Sequence, residues 1–125
     1  MPGFRWFRWA LFALLLGAAS FAQATPSDQE NKVITALIAR VEKMTTMKFV
    51  RNGDAHSSSE AAEHMQAKYA YFKEQIVTAE DFIERCASRS ELTGQPYKVK
   101  LADGQEREAN AFLRRELSAL RKELR

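Results

Sequence analysis

A single cysteine, Cys86, rules out any intramolecular disulfide, so stability has to come from packing. Long apolar runs are missing too: the uncharged stretch Ala10 to Phe21 falls short of the roughly 20 residues that a membrane-crossing helix requires. No excess of one charge sign stands out, because 19 Lys and Arg face 16 Asp and Glu and the two are interleaved in segments such as Glu106-Arg107-Glu108. That balance excludes the basic footprint of a nucleic-acid binder. Internal repeats and low-complexity tracts are absent, and so are a twin-arginine pair and a cysteine placed for lipid anchoring.

What is present begins with an address. Arg5 and Arg8 precede the apolar run, which closes on Ala22-Gln23-Ala24, the small-x-small pattern of a signal peptidase site. A cleaved signal peptide over residues 1–24 is expected, with the mature chain starting at Thr25 and residing in a bacterial periplasm. No membrane span would then remain. Losing Arg5 and Arg8 lowers the formal charge from +3 to about +1, so the mature protein is nearly neutral. The rest, residues 25–125, is long enough for one small domain and too short for two.

Along that domain the periodicity predicts an α+β fold, with about four amphipathic helices packed with two short β-hairpins. Ser27 and Glu30 have capping-box spacing, and Val33, Ile34, Leu37, Ile38, Val41 and Met44 form an apolar stripe that ends at Thr45-Thr46. A strand over Lys48 to Val50 leads into Asn52-Gly53, a pair that tolerates the positive φ of a type I′ turn. Ser57 and Glu60 start a second helix with a seam of Ala61, Met65, Tyr69, Phe72 and Ile76. Thr78 and Asp81 start a third, whose buried side carries Phe82, Ile83, Cys86 and Ala87. After a polar loop from Ser88 to Pro96, Tyr97, Val99 and Leu101 alternate as a strand, Asp103-Gly104 turns, and a final helix runs from about Ala109 to Leu124. The strand pieces could join in one sheet.

In order and spacing these pieces resemble the YfeK-like family of bacterial periplasmic proteins over about residues 30–120. The matching stretches are Phe49-Val50-Arg51-Asn52-Gly53, Ala61-Ala62-Glu63-His64-Met65 with Lys68, Thr78-Ala79-Glu80-Asp81-Phe82-Ile83, Ala87-Ser88-Arg89-Ser90, Gly94-Gln95-Pro96-Tyr97 and Asp103-Gly104, with Phe112-Leu113 where the family often has Trp-Leu. Met47 stands where relatives often carry a cysteine, and Cys86 where an aliphatic residue is usual. The family has no established activity, so the resemblance implies a small exported domain and transfers no catalytic residue.

No motif calls for a metal or any other cofactor. His56, Glu60 and His64 are four apart, but His56 precedes the cap at Ser57 and so leaves the helical register. Ser57, Ser58 and Ser59 are explained by the helix start. Cys86, four residues from Phe82, belongs to the apolar side as an inert thiol. Arg51, Asn52, His64, Lys68, Arg89 and Tyr97 could together border a shallow site for an anionic or glycan partner. The plain alternative is that Arg51 pairs with Asp54 across the turn while Lys68 and Arg89 are solvated.

These residues favour a non-enzymatic module that binds an envelope protein or glycan through the first hairpin and the Ser88 to Pro96 loop. The competing function is a small envelope hydrolase using His64 with Glu60 or Glu63 as acid and base. A homodimer built on the apolar helix faces is a third arrangement that the same stripes allow.

Overall fold

The computed structural model describes residues 25–125, so the expected leader and its Ala22 and Ala24 lie outside the described residues. Four helices and one sheet follow in the order α1 (Asp28–Glu42), β1 (Lys48–Arg51), β2 (Asp54–His56), α2 (Ser58–Phe72), α3 (Ala79–Cys86), β3 (Lys98–Lys100), β4 (Glu106–Glu108) and α4 (Ala109–Glu123). The fold is α+β.

The helix starts are where their capping residues put them. Ser57 and Thr78 form complete capping boxes with Glu60 and Asp81, each pair satisfying two backbone N–H groups that a helix start leaves without partners. Ser27 forms only half a box: its Oγ accepts from the Glu30 N–H at 3.1 Å. The Glu30 carboxylate is taken elsewhere, by the Arg121 guanidinium at 2.9 and 3.0 Å and by the Ala79 N–H at 2.9 Å. One side chain of α1 thus ties together the start of α3 and the end of α4. Two helices end earlier than their stripes suggest. α1 stops at Glu42, leaving Met44 to pack on the core from the following turn. α2 tightens after Phe72 into a 3-10 turn, Lys73–Gln75, which delivers Ile76 to the core from outside the helix.

The two hairpins join edge to edge in a four-stranded antiparallel sheet of order β2-β1-β3-β4. Asn52 and Gly53 have φ of 52° and 84°, the pair of positive values a type I′ turn demands. Phe49 lies opposite Val99 across the central pair, and both are buried against the helices. Lys48, Lys98 and Lys100 are exposed, with Lys98 opposite Glu108 and Lys100 opposite Glu106. The return strand of the second hairpin, Glu106-Arg107-Glu108, is wholly exposed and carries no apolar residue, so it shows no strand periodicity. Behind the sheet, Val33, Ile34, Leu37 and Val41 of α1 meet Phe82 and Ile83 of α3 and Leu113 and Leu117 of α4 in one core.

Candidate functional site

Three elements converge on one polar cluster. Arg51 ends β1 on the same face as Phe49, because alternate strand residues share a face. His64 and Lys68 are one helical turn apart on α2 and therefore point the same way. Tyr97 enters β3 from the long loop, where its N–H donates to the Ser88 carbonyl and its own carbonyl accepts from the Ala109 N–H, both at 2.9 Å.

The Arg51 guanidinium lies 2.9 Å from His64 Nδ1, and His64 Nε2 lies 3.3 Å from Tyr97 Oη. The same guanidinium nitrogen lies 3.2 Å from His64 Nε2, so Arg51 spans both ring nitrogens, and His64 Nε2 and Tyr97 Oη share one hydrogen bond. Lys68 Nζ reaches the same Tyr97 oxygen at 3.4 Å and the Arg89 carbonyl at 3.4 Å, and it lies 5.3 Å from the Tyr97 ring centre. Burial, followed by the charges of Arg51, Lys68 and His56, pushes the His64 pKa down to about 4, so the imidazole is neutral at ordinary pH. Tyr97 Oη accepts from Lys68 and shares its other contact with His64. The cluster thus holds two cations, Arg51 and Lys68, on the wall of one groove. The nearest carboxylate, Glu91, is half exposed and sits 3.6 Å from Lys68 Nζ.

Beside this cluster runs an open groove of about 760 Å³ between α2 and the loop that follows α3. Its two banks carry Tyr71 and Leu92, which are 80% and 91% exposed. Asn52 fixes the loop to the hairpin: its Nδ2 donates to Ser90 Oγ at 3.3 Å and its Oδ1 accepts from Thr93 Oγ1 at 2.6 Å. Ser90 Oγ also accepts the N–H groups of Leu92 and Thr93, so the bank is braced from within.

Of the six residues singled out by sequence, four meet at the cluster, Arg51, His64, Lys68 and Tyr97, and Asn52 lines the same groove. Arg89 does not join them. Its guanidinium turns to Glu84 at 2.5 Å, and only its carbonyl meets Lys68. Two expectations need correction. Arg51 hydrogen-bonds His64 instead of pairing with Asp54, because both Arg51 and α2 lie against the helix-covered face of the sheet. Lys68 is not solvated: it is 8% exposed, its ammonium lying over the Tyr97 ring and held by the Arg89 carbonyl and Tyr97 Oη. Sequence reasoning missed Tyr71 and Leu92, although the signal was there: Leu92 is an apolar residue in a polar loop, and Tyr71 lies off the α2 seam.

A second cleft of about 360 Å³ lies on the other side of the Arg51, His64 and Tyr97 wall, lined also by Phe49, Met65 and Cys86. Glu63 borders it, but the described hydrogen bonds of His64 go to Arg51 and Tyr97 and not to a carboxylate. The Glu60 carboxylate is occupied by His56 Nδ1 at 3.3 Å and then by the N–H and hydroxyl of Ser57, interactions that lower its pKa. His56 bonds Glu60 while His64 bonds Arg51, although His56, Glu60 and His64 all border this cleft. Cys86 is fully buried, and burial pushes its thiol pKa up to about 11.

Comparison with known proteins places this arrangement. A family model described as "Family of unknown function (DUF5329)" matches residues 28–121, a span that holds the whole cluster and every element except the last two residues of α4. The chain belongs to the DUF5329 family. A relative from Salmonella typhimurium, printed as "Uncharacterized protein YfeK", is 38% identical over 88 residues, covering 70% of this chain and 72% of the relative. No solved structure matches the chain. The resemblance to YfeK-like proteins read from the short motifs is thus borne out, and the DUF5329 region contains Arg51, His64, Lys68 and Tyr97 together.

Proposed function

We propose that this DUF5329 protein is an exported, non-enzymatic binding module of the bacterial envelope that holds an anionic group of its partner at the Arg51, Lys68 and Tyr97 cluster. One observation carries the reading: a groove lined by two cations, Arg51 and Lys68, around a histidine that stays neutral, with the half-exposed Glu91 paired to Lys68 at 3.6 Å. Buried charges are costly, so a lysine kept at this depth and paired only at 3.6 Å with the half-exposed Glu91 is suited to a ligand that brings a closer negative charge. A catalytic base would need a pKa near working pH, and His64 lies well below it. Export rests on the leader pattern of residues 1–24, and N-terminal sequencing of periplasmic material should begin at Thr25.

The test is affinity capture from a periplasmic extract with the mature protein and with Lys68→Met, which keeps the apolar stem and removes the charge. A partner retained by the wild type and lost by the folded variant, as judged by circular dichroism, is the expected outcome. Equal capture by both would remove the cluster from the binding site.

A further inference from the structure

Resting on that reading, we propose that the groove captures the C-terminal carboxylate of a protein whose last residues are extended and apolar. The floor sets the head group. Arg51 and Lys68 bring two positive charges to the groove, so the head group that complements the floor is an anion such as a carboxylate.

The banks set the body. Tyr71 on α2 and Leu92 on the loop stand on opposite sides of the groove, each almost fully exposed. An extended peptide sends successive side chains to opposite sides, so its last two residues would meet the two banks in turn while its terminus reached the floor. An acyl chain gains most from an enclosed channel, and this groove is open along its length. The Asn52 contacts to Ser90 and Thr93 hold the Leu92 bank at a fixed distance from the floor, which limits the ordering cost of binding. Glu91, 3.6 Å from Lys68 Nζ and half exposed, occupies the charge-neutralising position that the incoming carboxylate takes over.

The experiment is an immobilised array of heptapeptides in which the last two positions sample all residue types, each made as free acid and as C-terminal amide. Binders are followed up by calorimetry with the mature protein. Free acids ending in apolar residues should bind, their amides at least tenfold more weakly, and Tyr71→Asn or Leu92→Asn should weaken the free acids while leaving the fold intact. Glu91→Gln should tighten binding several-fold by removing the internal competitor, an effect that a purely structural role for Glu91 would not produce. Amides that bind as well as acids, or an array without binders, would overturn the proposal. If the array fails while capture from the extract still depends on Lys68, the anion-binding reading stands and only the C-terminal ligand is lost. Preferential binding of decanoate or of an acidic oligosaccharide at the same residues would likewise replace the peptide.

Discussion

Protonating His64 would set a third positive charge beside Arg51 and Lys68, in a place already short of water. The ring titrates near 6.5 in an unfolded chain and at about 4 in the folded protein. Between those values the unfolded state takes up a proton that the folded state refuses, so stability should fall as pH drops from 6.5 toward 4 and be unaffected by this group above that window. Because the ring is partly solvated, the loss should be about 1 kcal/mol, less than the full shift implies. Urea midpoints of wild type and His64→Gln at pH 7.5 and 4.5 check it: their difference should change between the two pH values. Gly53 is a backbone case. Its φ is 84° and nothing lies within 4 Å of an added Cβ, so any cost of substitution comes from the left-handed conformation and not from a clash. Gly53→Val should destabilise by at least about 1 kcal/mol and Gly53→Asn by less, and equal melting temperatures for Val and wild type would contradict the strain argument. Cys86 should react slowly with a thiol reagent in the native protein and quickly in denaturant, since it is buried and its thiolate is disfavoured.

At the scale of elements, the joint made by Glu30, Arg121 and the Ala79 N–H links three helices through one carboxylate. The Arg121 hydrogen bond, and to a lesser degree the Ala79 N–H, holds the Glu30 pKa below its usual value of 4.5. Its stabilisation is therefore present above about pH 4.5 and is lost as pH falls through the lower folded value. Glu30→Gln should cost about 1 kcal/mol at pH 7, and the gap to wild type should close in acid, as read from thermal unfolding across pH. Most elements were legible because a local signal marked them. Ser57 with Glu60 and Thr78 with Asp81 set two helix starts, and Asn52-Gly53 set the first turn. Glu30 shows where such signals stop: its spacing from Ser27 reads as a capping box, but a residue 91 positions away takes the carboxylate. β4 shows another limit, since an edge strand that buries nothing needs no alternation.

For the molecule as a whole, the site was half legible. Arg51, His64, Lys68 and Tyr97 were recognisable as polar residues within short motifs, and their meeting depends on sheet order and on the orientation of α2, which no local pattern encodes. Arg89 went astray for the same reason: its motif placed it near the groove, and a carboxylate on α3 turned its side chain away. The central β1 and β3 pair also governs how the chain can fold. Each hairpin closes over a few residues, but Val50 finds Lys98 only after α2, α3 and the long loop have been gathered between them. Closing so long a loop is entropically unfavourable until the contacts it permits are made, so joining the two hairpins should be the slow step of folding. Val99→Ala, which removes a fully buried side chain from that seam, should slow refolding in a stopped-flow experiment by nearly the factor by which it lowers stability, leaving the unfolding rate almost unchanged. A peptide pocket assembled from both sides of that seam would thus become competent only in the last moments of folding.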